Sequence, residues 1–381
     1  MPQTIADVPH AECYGCSACQ AICPKKCIHM PSDDEGFLYP VIDDSNCIRC
    51  GLCYSACPVN IVNLKSPRGV YAVKAKDSHI QQASSSGGAF MVLAQQAINQ
   101  GYLVFGAVYD ADLSGVHHES ISNVADLTRL RGSKYVQSDL RETYAEVKKL
   151  LLAGRKVLFS GLGCQIQGLQ NSLGKTTYPN LLTIDLLCHG VPSPLLFKDY
   201  IRCITRKYGK ITSLNMKDKE NGWGQQQLRF TFANPTKKPH PQGTQLWNKI
   251  FYSNVALRPS CYGCKFAHFE RGGDLSLGDF WGIESQHPSF YDKNGVSLLL
   301  TNTEKGQHFL DETKEQLTIL QTDKETCMQP ALSHAVEKPQ WRNFFWKQYQ
   351  LYGFEHVAWH FWHTAFSSPL KIKVRQLFRR K

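Results

Sequence analysis

Cys13-Tyr14-Gly15-Cys16-Ser17-Ala18-Cys19-Gln20-Ala21-Ile22-Cys23-Pro24 returns 34 residues later as Cys47-Ile48-Arg49-Cys50-Gly51-Leu52-Cys53-Tyr54-Ser55-Ala56-Cys57-Pro58. Each copy spaces three cysteines by two residues and places a fourth three residues on, ahead of proline. Three close thiolates can grip one 4Fe-4S cube while the fourth reaches across to a second cube. Zinc usually takes paired CxxC or CxxH steps, so the duplicated triple ending in Cys-Pro favours iron–sulfur over zinc. Cys27 stands four residues past Cys23, where the second copy has Ile61. It reads as a spare thiol near a cluster.

The repeat is similar to the bacterial two-cluster ferredoxin pattern, which implies one cluster held by Cys13, Cys16, Cys19 and Cys57 and another by Cys47, Cys50, Cys53 and Cys23, in a small α+β unit over residues 1–66 whose core is largely inorganic. Asp33-Asp34-Glu35-Gly36 is the turn between its halves, and Lys65-Ser66-Pro67-Arg68-Gly69 reads as a linker into a larger domain. The whole chain has 381 residues, 42% hydrophobic and 20% charged, which excludes global disorder. Its net charge is +11, but Lys371, Lys373, Arg375, Arg379, Arg380 and Lys381 supply six of those charges. The rest is too mildly basic to point to nucleic acid, and no helix-turn-helix or zinc-finger pattern is present. No run approaches a membrane span, and the first ten residues lack a basic and apolar leader, so a cytoplasmic location is expected. Fifteen cysteines in a reducing compartment then suggest metal or redox chemistry rather than disulfides.

Beyond the linker the pattern is mixed α/β, read as residues 67–150 and 151–335. Ser84-Ser85-Ser86-Gly87-Gly88 opens a helical stripe ending at Gly101, and a strand pattern runs from Leu103 to Tyr109. A capped, glycine-flanked helix start is a candidate phosphate grip. Arg131-Gly132-Ser133-Lys134-Tyr135-Val136-Gln137-Ser138 is a second polar loop, ahead of a helix expected from about Asp139 to Leu152. It offers cations for phosphate and Tyr135 for stacking; the alternative for each loop is a cap without a ligand.

Strand patterns at Lys156–Ser160 and Leu181–Leu187 run into Cys164 and Cys188. Ligands of open α/β sheets bind beyond such strand ends, so the two thiols are expected over one site. With the Cys261-Tyr262-Gly263-Cys264 step they make four ligands, for a third 4Fe-4S cluster or a structural zinc; packing is the third possibility. Cys203 and Cys327 read as packing residues. His189, just past Cys188, is a weak candidate for a proton donor.

These motifs together resemble the β subunit of coenzyme F420-reducing hydrogenase and its relatives, which include dehydrogenase subunits using the reduced coenzyme and 7-hydroxymethyl chlorophyll a reductase. The resemblance rests on the ferredoxin repeat, Ser85-Ser86-Gly87-Gly88, Gly132-Ser133-Lys134-Tyr135-Val136-Gln137, Cys188-His189-Gly190-Val191-Pro192, Cys261-x2-Cys264 and Gly278-Asp279-Phe280-Trp281. It implies a cytoplasmic iron–sulfur flavoprotein with a larger flavin-binding domain. Ser85, Ser86, Gly87, Gly88, Gly132, Ser133, Lys134, Tyr135 and Gln137 become expected FAD contacts, and Cys164, Cys188, Cys261 and Cys264 expected ligands of a third cluster. One departure stands out: many relatives have Gly-x-Pro-Cys-Gln where this chain has Gly161-Leu162-Gly163-Cys164-Gln165.

The implied activity is electron exchange between a hydride carrier, reduced F420 or a nicotinamide, and one-electron carriers such as a ferredoxin-like protein. Two alternatives share the scaffold: ferredoxin-dependent reduction of a small organic substrate, and a non-catalytic electron-transfer or redox-sensing subunit of a larger complex. Residues 336–381 form an extension. Ten aromatics fall between Trp341 and Trp362, followed by the alternating apolar and basic segment Leu370–Lys381. This suits peripheral contact with the inner face of a membrane or an acidic partner; the alternative is aromatic packing with a solvated tail.

Overall fold

The computed structural model describes residues 3–225, 227–241 and 243–363. In the ferredoxin-like unit the duplication extends to the backbone. Gly15 and Arg49, 34 residues apart, are both left-handed (φ 63° and 50°), as are Ser17 and Gly51 (φ 58° and 77°). Each copy therefore places a left-handed residue on either side of its second cysteine, and one member of each pair is glycine, the residue that adopts this conformation at least cost. Short helices follow at Ala18–Ile22 and Leu52–Ser55. A two-residue antiparallel ladder, Ile28–His29 with Val41–Ile42, closes the unit.

The larger domain is built on eight strands: β1 (Gly69–Ala75), β2 (Tyr102–Tyr109), β3 (Val116–Ile121), β4 (Lys156–Leu162), β5 (Leu181–Leu186), β6 (Leu275–Asp279), β7 (Ser297–Thr301) and β8 (Leu317–Thr322). Their order is β8-β1-β7-β6-β5-β4-β2-β3. The central four, β6-β5-β4-β2, are parallel, and the outer pairings are antiparallel. Leu162 pairs with Leu186, which pairs with Leu277, so these three strands end on one edge of the sheet. The nearly unbroken burial of β4 and β5 reflects cover on both faces. Helices Ala89–Asn99 and Glu304–Thr313 share one apolar core with the sheet, through Leu93, Phe309, Leu158 and Ile184. Helices Thr143–Leu152 and Gly163–Leu173 belong to another, in which Ile166 and Leu169 meet Cys16 and Cys19 of the ferredoxin-like unit.

The helix expected from Asp139 begins at Thr143 instead. The main chain of Asp139 is used by the sheet edge: its N–H donates to Val116 O at 2.8 Å, and its carbonyl accepts from His118 N at 3.0 Å. Helix Pro194–Tyr208, capped by Ser193, and the hairpin Ile211–Asp218/Gln227–Phe232 form a separate core with the aromatic extension. Phe345, Trp346, Tyr349 and Phe354 are buried there, each stabilising the packing by about 1.5–3 kcal/mol. These aromatics thus take the packing role. The last helix, Arg342–His363, is broken at Gly353 (φ 76°), and no helix among the described residues is long and apolar enough to cross a membrane. The basic segment Leu370–Lys381 lies outside the described residues.

Candidate functional site

Cys16, Cys19 and Cys57 are buried beside half-buried Cys13. Burial, reinforced by one another's charge, pushes the Cys16 thiol up to about 12 and the Cys57 thiol up to about 11. Thiols so disfavoured as free anions suit a metal, whose positive charge offsets the cost of holding thiolates away from water. Cys23, Cys47, Cys50 and Cys53 line a second pocket, which Cys27 also lines. Here Cys50 is exposed.

Cys164, Cys188, Cys261 and Cys264 line a single cavity of about 350 Å³ at the carboxyl edge of the parallel strands. Cys164 is the second residue of helix Gly163–Leu173, two past the end of β4, and Cys188 lies two past the end of β5. The short 3-10 turn Pro259–Gly263 presents Cys261 and leads to Cys264. Burial pushes Cys261 up to about 12 and raises Cys164 and Cys188 as well. The departure at Gly163 has a packing cause: a Cβ at this residue would stand 3.0 Å from the Phe266 Cβ, so glycine relieves the contact beside the thiols.

Two buried arginines frame this cavity. Arg271 donates from Nε (2.9 Å) and Nη2 (2.6 Å) to Asp185 Oδ1 on β5, and from Nη1 to Phe266 O at 2.8 Å. Arg258 is fully buried; it donates to Cys13 O (2.6 Å), Gln137 Oε1 (3.1 Å) and Leu38 O (2.8 Å). Among the described residues, no carboxylate comes within ion-pair distance of Arg258. A buried cation with neutral partners is costly unless an anion is near, and the thiols of Cys16 and Cys261, one from each cysteine group, lie within reach of its charge. Neither arginine carries a motif that sequence reading could have isolated.

The cavity also adjoins the first ferredoxin group. Tyr14, between Cys13 and Cys16, lines it, and a Cβ on Gly168 would stand 2.9 Å from Cys16 Sγ. Helix Gly163–Leu173, with Cys164 in its first turn, therefore packs directly on the first thiol group. Gln137, an expected flavin contact, lines this junction, its Nε2 donating to Tyr14 O at 2.9 Å.

The two polar loops meet each other. Ser133 N donates to Ser85 Oγ at 2.7 Å, and helix Ala89–Asn99 starts at Gly88 (φ 88°) without a side-chain cap. Ser86 Oγ donates to Val296 O (2.9 Å), and Lys219 Nζ to Ser86 O (2.5 Å). Gly87 is required by packing, since a Cβ would stand 2.4 Å from Val73 O. Lys134 turns inward: its Nζ donates to the carbonyls of Leu130, Arg131 and Gly132 at 3.2–3.3 Å, and burial lowers it to about 7. These contacts tie it to its own loop.

Around this junction stand Lys217, buried and paired with Asp279, and the stacked Trp223 and Trp281, centroids 4.8 Å apart. Tyr135 stacks on Phe251 at 4.7 Å, and Phe251 meets His189 edge-on at 5.1 Å. His189 lines the cysteine cavity; its Nε2 is 2.6 Å from Asn254 Oδ1, and burial lowers its pKa. The aromatic contacts thus run from the loops to the cavity rim. Cys327 is buried in an apolar core and Cys203 packs against another.

Residues 12–61 match the family model of the 4Fe-4S dicluster domain, and residues 154–326 match the model for the C terminus of the coenzyme F420 hydrogenase/dehydrogenase beta subunit. The chain thus joins an iron–sulfur dicluster domain to a redox domain of the F420 hydrogenase/dehydrogenase beta-subunit type. Among solved structures it is similar to a chain of the F420-reducing NiFe hydrogenase complex from Methanosarcina barkeri, with 15% identity over 68% of this chain and 83% of that one and a TM-score of 0.46. No curated protein matches the chain.

Proposed function

We propose that this protein is an iron–sulfur flavoprotein oxidoreductase that moves electrons between a hydride carrier, reduced F420 or a nicotinamide, and one-electron carriers. The reading is carried by the four-cysteine cavity, which shares Tyr14 with the first ferredoxin thiol group and His189 with the aromatic contacts of the serine–glycine loops. When bound, FAD supplies the conversion between hydride and single-electron transfer, and 4Fe-4S clusters supply one-electron relays.

The residues have separable tasks. Cys13, Cys16, Cys19 and Cys57, then Cys23, Cys47, Cys50 and Cys53, would hold the two ferredoxin clusters, and Cys164, Cys188, Cys261 and Cys264 a third. Arg258 supplies positive charge between the first group and the cavity. For FAD, the uncapped helix start at Gly88 offers main-chain donors to a phosphate, and the Ser85–Ser133 contact fixes the mouth of that grip. Tyr135 and Trp281 provide flat apolar faces. Ser86, Gly87 and Gly132 shape the backbone there.

The test is iron, sulfide and flavin per chain after anaerobic purification. About twelve irons and one FAD are expected. About eight irons would return the four interior cysteines to zinc or packing, and absence of flavin after reconstitution would overturn the hydride step.

A further inference from the structure

We infer that Cys27 is an exchangeable ligand of the cluster that Cys47, Cys50 and Cys53 would hold, able to replace Cys23 on the same iron. The inference rests on the iron–sulfur reading of that pocket and adds a fifth thiol to it. Cys27 is only 4% exposed, its Sγ is 3.5 Å from Cys23 Sγ, and both line the pocket with the other three cysteines.

Its place is fixed by backbone. Lys26 is left-handed (φ 51°), turning the chain after Cys23-Pro24, and Cys27 O accepts from Asp43 N at 2.8 Å at the start of the Ile28–His29 ladder. The thiol is therefore held beside the pocket by hydrogen bonding that does not depend on its own side chain. The repeat does not demand cysteine here: the corresponding residue of the second copy is Ile61, which is 39% exposed. A buried thiol facing four others is a feature of this pocket alone among the two ferredoxin sites.

A cube has four irons and takes four protein thiolates, so five thiols leave one in reserve. In the exchange, the iron–sulfur bond to Cys23 breaks, one to Cys27 forms, and the Cys27 thiol proton passes to the Cys23 sulfur across their contact. Thiolate count and oxidation state are unchanged, and no outside reagent is consumed. The pocket is the one with a solvent-exposed ligand, Cys50, where loss of a ligand is easiest.

The test compares wild-type, Cys23→Ala, Cys23→Ser and the double variant Cys23→Ala/Cys27→Ala as full-length, anaerobically purified protein. Iron and sulfide are counted and the reduced proteins are examined by electron paramagnetic resonance. Retention of wild-type iron by Cys23→Ala, with shifted resonance lines, and loss of about four irons only in the double variant is the expected result. Loss of the same irons by Cys23→Ala overturns the role of Cys27, even where Cys23→Ser retains them through its own oxygen. Wild-type protein without ferredoxin-type iron would instead overturn the cluster reading itself.

Discussion

The ferredoxin pockets and the interior cysteine cavity use the same ligand chemistry but are assembled in opposite ways. The former take their thiols from two short runs, with left-handed residues at matching places wrapping the chain around each site. The latter gathers Cys164, Cys188, Cys261 and Cys264 from two strand ends and a distant turn, and only the parallel register of β4, β5 and β6 brings them together. The local site shares an apolar core with the helix that carries Cys164, through Ile5, Ala18 and Val59 beside Ile166 and Leu169; the interior one sits at the edge of a sheet with a further apolar core of its own.

The largest effect should separate the two kinds of site. Cys188→Ser is expected to lose about four irons while the sheet domain stays resistant to proteolysis. Cys19→Ser should lose a similar amount and make residues before the linker protease-sensitive, because buried cysteines make up much of that unit's share of its apolar core. Iron assay with limited proteolysis checks both, and equal proteolytic resistance in the two variants would break the distinction.

Arg258 tests how firmly the regions are joined. Arg258→Met removes the donors to Cys13 O, Leu38 O and Gln137 Oε1 together with the buried positive charge. Three oxygen acceptors lose their donor, so a loss of about 3–5 kcal/mol in anaerobic urea unfolding is expected, with Arg258→Lys intermediate because it keeps charge but not the planar fork. Below that in size is Glu35→Gln. Arg342 pairs with Glu35 on the ferredoxin-like turn and also donates to Tyr262 Oη (3.1 Å) within the Cys261-x2-Cys264 step. Losing the carboxylate should cost about 1–3 kcal/mol in the same melt.

What could be read from the sequence follows this division. Duplication and spacing are local properties, so the ferredoxin-like unit and the eight cysteines of its repeat stood out before any tertiary information. The mixed α/β domain was visible through strand and helix periodicity, and the strand-end argument was enough to place Cys164 and Cys188 near each other. Asp139 shows where that reading stops: its residue type suits a helix start, but the β3 edge captured its backbone. Gln137 and Lys134 show the same limit in the loops, since hydrogen-bond partners distant in sequence set the direction of the first and a turn of its own loop that of the second. Arg258 and Arg271 have meaning only through burial and partners, which no spacing encodes.

The smallest stability effect distinguishes a cofactor loop from an ordinary turn. Ser85→Ala removes the acceptor for Ser133 N, and Ser84→Ala removes a hydroxyl that donates to Ile80 O at 2.7 Å. Each should cost about 0.5–1.5 kcal/mol in thermal or urea unfolding. Flavin retention should separate them, because only Ser85 joins the two loops at the uncapped start of helix Ala89–Asn99. Ser85→Ala is expected to lose flavin during gel filtration at limiting FAD while Ser84→Ala keeps it. Equal retention by the two variants would move the flavin grip away from this junction, leaving the cysteine cavity to be connected to another part of the sheet edge.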